Sequence, residues 1–166
     1  DTSGAIQVNL KNRLFTSNII EALNLIPLRY MNLEGFRGKG EVDLDVEING
    51  AYDNDRFPII AMSLAITGGQ ASYKDFPKKI ELFETSIDAN IDYLNKTNSL
   101  VNLNSFNVIS DGFTVDLKGR FSQILTNPHL IFSGKGGINF DDLLSTLPLK
   151  DLKAKGNAGF NLSSDV

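Results

Sequence analysis

The sequence has 166 residues, of which 42% are hydrophobic and 22% are charged, and its formal net charge is −4. This composition fits one folded domain and excludes a disordered tail, and no apolar run approaches the ~20 residues that a transmembrane helix needs. The acidic balance and the scattered lysines argue against a nucleic-acid partner, and the absence of cysteine excludes disulfides and thiolate metal ligands.

A short helix is the first element that the sequence predicts. Asn18 followed by Glu21 resembles a capping box, and Pro27 marks the end of the helix. Apolar residues recur at helical spacing between these points, at Ile19, Ile20, Leu23 and Ile26.

Strands dominate the rest of the chain, because apolar and polar residues alternate with a period of two. The clearest strand has Val42, Leu44, Val46 and Ile48 on one side and Asp43, Asp45, Glu47 and Asn49 on the other. Similar alternation covers residues 59–66, 83–93, 113–121 and 152–162. Successive side chains of a strand point to opposite faces, so each segment has one apolar face.

Glycines and a change of parity predict how these strands connect. Gly68-Gly69 suits a tight hairpin, with residues 70–73 as the returning strand, and Asp111-Gly112 predicts a second hairpin. Between them the apolar positions change parity near Leu82–Phe83, which predicts a β-bulge.

A second short helix is predicted over 141–147, with Asp141 as its N-cap and Pro148 as its end. The predicted fold is therefore mainly β: a curved antiparallel sheet, either an open β-groove or β-sandwich-like, with two short helices. We expect one β-rich module over residues 1–166.

The two predicted helices share a pattern, which indicates an internal repeat. In each, an apolar pair is followed by a leucine four residues after its first member and then by a proline: Ile19-Ile20, Leu23 and Pro27, and later Leu143-Leu144, Leu147 and Pro148. A repeat unit leaves its own ends uncovered, so we expect the chain to be a fragment of a longer repeat-containing protein.

The polar residues offer no workable catalytic or metal site. His129 is the only histidine, and its parity on a predicted strand places it opposite Leu130 and Phe132, toward solvent. Asp43, Asp45 and Glu47 occupy the water side of their strand.

Two segments resemble ligand-binding motifs, but each lacks residues that its motif requires. Asp53-Asn54-Asp55 is followed by Arg56 rather than by calcium ligands, so we interpret it as an acidic turn. The run 134–137 has no P-loop context, so its glycines are expected at a strand kink or bulge. The prediction is that the chain is not an enzyme and has no cofactor.

The apolar face is the remaining candidate for function. It is either the core of a closed sandwich or the lining of an open groove that holds acyl chains, and periodicity does not separate the two. The candidate lining residues are Leu44, Val46, Ile87, Ile91, Val115 and Leu117.

A succession of turn and strand motifs runs along nearly the whole chain. Its first half contains Gly50-Ala51-Tyr52, Phe57-Pro58, Gly68-Gly69-Gln70-Ala71-Ser72-Tyr73 and Phe76-Pro77, with a long strand from Ile80. Its second half contains Gly119-Arg120-Phe121, Asn127-Pro128-His129-Leu130, Gly134 and the segment 141–148. This succession resembles the AsmA-like family of Gram-negative envelope proteins.

The resemblance implies a periplasmic module of a large protein that is anchored in the inner membrane. Such proteins conduct phospholipids along a repeating β-groove toward the outer membrane and support its assembly and integrity. The implied partners are phospholipid acyl chains and neighbouring modules of the same protein, and the family has no catalytic residues to transfer. The alternative is a non-catalytic structural or protein-interaction β-sandwich module of an envelope protein.

Overall fold

The structure, a computed structural model, describes residues 4–21, 35–74, 76–144 and 155–166. Eight strands in these ranges form one antiparallel sheet whose spatial order follows the chain. The strands are β1 (Ile6–Thr16), β2 (Phe36–Tyr52), β3 (Ile59–Tyr73), β4 (Phe76–Ile91), β5 (Leu100–Ser110), β6 (Phe113–Ser122), β7 (His129–Asn139) and β8 (Asn157–Asp165). Helix α1 begins at residues 19–21, α2 covers Phe140–Leu144, and a 3-10 turn covers Lys96–Asn98.

The predicted mainly β antiparallel fold is confirmed. Strands β1 and β8 lie at opposite edges, and within the described ranges the sheet is open and has no second sheet packed on it. The sheet is also uncurled, which differs from the curved form expected from the sequence. Alternation determines which side chains share a face, whereas curling depends on how successive strands coil against one another, which the pattern does not encode.

Strand β1 is an element that our sequence analysis missed. It pairs with β2 along its whole length, from Ile6 opposite Tyr52 to Thr16 opposite Val42. The signal was present, since Ile6, Val8, Leu10 and Leu14 share one parity, but Asn12 and Phe15 interrupt the pattern. The last strand begins at Asn157, and residues 152–154 of its predicted extent lie outside the described ranges.

The hairpin predicted at Gly68-Gly69 is wrong. Strand β3 continues through both glycines to Tyr73, and its pairing with β4 shifts register between Ile66 and Gly69. Gly68 has φ +57°, so it supplies a left-handed residue to a bulge inside a strand rather than to a turn. Residues 70–73 are therefore the continuation of β3 and not a returning strand.

Two other predicted connections are confirmed. Ser110 pairs with Phe113 across Asp111-Gly112, and Gly112 has φ +89°, as a two-residue hairpin requires. The predicted change of parity corresponds to a register shift between Ile80 and Leu82 against β5.

The sequence predicted the N-cap of α1 correctly and the N-cap of α2 incorrectly. The Asn18 carbonyl oxygen Oδ1 accepts a hydrogen bond from the Ile20 N–H at 3.1 Å, which confirms Asn18 as the cap of α1, although Glu21 bonds the Thr16 hydroxyl rather than completing a capping box. At α2 the cap is Asn139, whose Oδ1 accepts from the Asp142 N–H at 3.1 Å.

The predicted Asp141 cap is therefore wrong, because α2 begins directly after β7 and Asn139 reaches its free N–H groups first. The remaining predicted helical residues, 22–26 and 145–147, lie outside the described ranges. No helix in the described ranges is long and apolar enough to cross a membrane.

Candidate functional site: the apolar face of the sheet

Most side chains on one face of the sheet are apolar, with Asn12, Thr16, Thr85 and Ser164 among the polar ones, and we call it the apolar face. Directly paired residues of neighbouring strands project to the same side, so the observed registers carry this face across all eight strands. Its larger side chains include Leu14, Leu44, Val46, Ile48, Met62, Leu64, Ile66, Ile87, Ile91, Leu103, Phe106, Val108, Val115, Leu117, Phe132, Phe160 and Leu162.

All six candidate lining residues lie on the apolar face. Leu64 joins Leu44 to Ile87, because it pairs with both. Val46 pairs with Met62, and Ile91 pairs with Ile60. Val115 pairs with Val108, and Leu117 pairs with Phe106. Each of the six is partly exposed, so the structure gathers them on one accessible surface.

Few apolar side chains in the described part of the sheet are buried. Among the described side chains, the buried apolar ones are Ile19, Val42 and Val108. Ile19 of α1 packs beside β2, where its Cδ1 lies 3.1 Å from the position that a Cβ on Gly40 would occupy. Elsewhere, contacts within the layer stabilise the face, including a T-shaped pair of Phe83 and Phe106 with ring centroids 5.6 Å apart.

Glycines in β7 allow large side chains to lie flat on this face. A Cβ at Gly134 would overlap the Leu117 side chain, and one at Gly136 would overlap the Phe160 ring and the carbonyl oxygen of Thr114. The expected bulge at these glycines is wrong, since β7 pairs with both neighbours without a register shift. They are required for close packing across the strand.

The opposite face, which we call the polar face, contains Asp43, Asp45 and Glu47, as predicted. Arg13 on β1 donates to both carboxylate oxygens of Asp43, from Nε at 2.9 Å and from Nη2 at 2.6 Å. The hydrogen bond from Arg13 is the main reason why the pKa of Asp43 is below its ordinary value. This carboxylate is therefore ionised at neutral pH and acts as an ion-pair partner.

His129 also lies on the polar face, opposite in parity to Leu130 and Phe132, as predicted. Its Nε2 is 2.5 Å from Asp165 Oδ1, and the two side chains are 44% and 70% exposed. The described residues contain no group of three His, Asp or Glu side chains that could hold a metal ion.

The Asp53 loop is a turn with its carboxylate already engaged. Asp53 Oδ1 accepts hydrogen bonds from the N–H groups of Asp55 and Arg56, and Oδ2 accepts one from Arg56 Nε at 2.7 Å. The hydrogen bond from the Arg56 side chain is the main reason why the pKa of Asp53 is lowered. This geometry agrees with the acidic turn expected from the sequence.

Sequence reasoning missed much of the breadth of the apolar face. Leu14 and Leu103 join it through strand registers, and single-strand alternation does not show which strands become neighbours. Comparisons of the chain with protein-family models, with curated proteins and with solved structures gave no match. Membership of the AsmA-like family therefore stays a prediction from the sequence motifs.

Proposed function

We propose that the chain is a periplasmic module of an AsmA-like protein that shields phospholipid acyl chains on its apolar face and passes them toward the outer membrane. The observation that carries this proposal is a broad, mainly apolar face on an open sheet, on which the described ranges pack no second sheet. The localisation, the inner-membrane anchor of the parent protein and the role in outer-membrane assembly rest on the family resemblance.

The dimensions of the sheet fit this cargo. Eight strands at a spacing of about 4.8 Å make a sheet roughly 34 Å wide, and an 11-residue strand is about 36 Å long. One leaflet of a bilayer accounts for about 15 Å of the hydrocarbon core, so the acyl chains of a phospholipid fit within the face. These lengths give the sheet a plan area of roughly 1,200 Å². An apolar patch that covers about half of it would reach the upper size seen on a typical monomer, which favours a binding surface.

The chemistry of the face suits weak and repeated binding. Complete burial of one methylene contributes about 0.8 kcal/mol, so contact on one side contributes roughly half of that. Two chains that each place about ten methylenes on the face would gain roughly 8 kcal/mol before the cost of ordering. A micromolar dissociation constant needs about this much net free energy, so the binding is weaker than micromolar once that cost is subtracted. Apolar side chains make no specific contact that would fix a lipid at one position, so the lipid can move along the face.

The sheet edges favour continuation into neighbouring modules. On the apolar face, the edge strands expose Ile6 and Leu10 of β1 and Leu162 of β8. The described edges are not closed by pairing between β1 and β8. Another strand at either edge would extend the same apolar face, as a conduit built from successive modules requires.

Native mass spectrometry of protein purified from the bacterial periplasm tests the proposal. We expect phospholipid masses bound to the chain, and their loss in the variant Leu117→Glu, which places a charge on the apolar face. Lys118→Glu is the matched control, because Lys118 is the next residue of β6 and faces the other side. Ile91→Glu is a second variant at the far end of the face, and circular dichroism checks that each variant is folded.

A wild-type chain that is free of lipid under gentle ionisation would contradict the proposal. A lipid-free dimer or complex would support the alternative, an interaction module whose apolar face is covered by a second sheet. Equal lipid retention by Leu117→Glu, Ile91→Glu and the control would show that the lipid binds elsewhere.

A further inference from the structure

Aromatic residues gather at one end of the sheet, where the turns 53–58, 92–99 and 123–128 lie together. The Phe57 ring contacts Tyr52 and Tyr93, with centroids 5.6 Å and 5.4 Å apart. We call Tyr52, Phe57, Tyr93 and Leu94 the aromatic rim. Their exposed fractions are 47%, 46%, 42% and 58%, so large apolar groups face water together.

The turns that carry the rim are held by internal hydrogen bonds. Besides the bonds within the Asp53 turn, Asp92 Oδ1 accepts from the N–H groups of Leu94 and Asn95 at 3.0 and 2.8 Å. The fully buried Ser99 hydroxyl accepts from the Asp92 N–H and donates to the Asp92 carbonyl oxygen. Satisfied polar groups lower the cost of moving these turns into a less polar medium.

The two ends of the sheet differ in the charged side chains that they expose. The turns and helix α2 described at the opposite end expose charged side chains, at Lys74, Asp111, Asp141 and Lys155. At the rim, Asp53 is paired with Arg56, Asp92 is buried, and the other charges are Asp55 and Lys96. The rim is therefore close to neutral and rich in rings, and two of the rings have a polar hydroxyl.

We propose that the aromatic rim docks the module on the surface of a phospholipid bilayer. Tyrosine suits the boundary between headgroups and acyl chains, because its ring is apolar and its hydroxyl stays wet, while Phe57 and Leu94 supply apolar area. A nearly neutral surface is compatible with zwitterionic headgroups. The rim is also continuous with the apolar face, since Tyr52 pairs with Ile6, and Ile60 and Ile91 lie on that face beside the rim turns.

The inference rests on the proposed function for its purpose, because the rim borders the apolar face along the strand ends. A bilayer at the rim would lie beside the lipid path and could exchange acyl chains with it from the side. Flotation of the purified chain with phosphatidylcholine vesicles tests it. We expect the wild type to float with the vesicles, and the double variant Phe57→Ser/Leu94→Ser to bind at least about tenfold more weakly, since it removes two large apolar side chains. Added salt should have little effect, because charge pairing is not the source of binding.

The matched control is Phe15→Ser/Ile109→Ser, which removes two exposed apolar residues from the polar face. A wild type that stays in solution, or an equal loss in rim and control variants, would overturn the inference. A second measurement uses the absence of native cysteine. An environment-sensitive dye on Leu94→Cys should shift to the blue with vesicles, and the same dye on Asp111→Cys should not; equal responses would also overturn the inference.

The two proposals fail separately in these experiments. Leu117→Glu should lose bound phospholipid but still float with vesicles, because the rim is intact. The rim double variant should keep co-purified phospholipid but lose flotation. A chain that floats yet never carries lipid would retain the docking inference and contradict the proposed function.

Discussion

One buried hydroxyl holds the turn 92–99 at the aromatic rim. Ser99 is fully buried, and its hydroxyl bonds both the N–H and the carbonyl oxygen of Asp92, at 2.9 and 3.0 Å. Ser99→Ala should lower the free energy of unfolding by about 1–3 kcal/mol, because two buried backbone groups lose their partner. Urea denaturation measures the change. Thr126→Ala is the control, since that hydroxyl donates to Gln123 at an exposed site, and an equal effect of the two substitutions would contradict the account.

A charge pair on the polar face predicts a dependence on pH. Because Arg13 holds the pKa of Asp43 below its ordinary value, the pair stabilises the fold above the pKa that Asp43 has in the unfolded chain. That contribution is lost as the pH falls through the lower pKa of the folded state. In Arg13→Gln, we expect the Asp43 pKa to rise and less stability to be lost on acidification.

Titration followed by nuclear magnetic resonance tests this prediction residue by residue. Asp88 serves as the internal reference, because Asn104 and Ser63 lower its pKa and Arg13 is not among the causes. An Asp43 pKa that is the same with and without Arg13 would show that the guanidinium does not contact the carboxylate in solution.

At the scale of elements, β7 depends on glycine for packing. Gly136→Ala should lower the free energy of unfolding by about 1–3 kcal/mol or more, because the new Cβ meets the Phe160 ring and the Thr114 carbonyl oxygen. Gly159→Ala is the matched control on β8, where the nearest atom is 3.7 Å away, and it should change stability by less than about 1 kcal/mol. Urea denaturation of both variants checks the difference, and equal stability would contradict the close approach of Phe160.

Elements were predictable where the chain carries a local signal. The Asp111-Gly112 hairpin was predictable because an Asp-Gly pair with a left-handed glycine is typical of a two-residue hairpin turn. Gly68 has the same kind of backbone conformation but lies in a bulge of β3, and only the continued pairing of Gly69 with Phe83 distinguishes the two. The missed cap at Asn139 has a similar cause, since several polar residues near a helix start can serve.

At the scale of the whole molecule, alternation predicted that a large apolar face exists, and all six candidate lining residues lie on it. Alternation did not predict that the sheet stays open, because strand order and curling arise from contacts between distant segments. The aromatic rim was missed for the same reason. Tyr52, Phe57 and Tyr93 come together only when β2 and β4 end at the same side of the sheet.

Shielding of acyl chains by the apolar face is the central claim, and photocrosslinking tests it most directly. A phospholipid with a photoreactive group near the end of one acyl chain is loaded onto the purified chain, and crosslinked residues are located by mass spectrometry. We predict crosslinks at Leu64, Ile87 and Leu117 on the apolar face. Crosslinks spread equally over their polar-face neighbours Ser63, Ser86 and Lys118, or no crosslinks at all, would contradict the account.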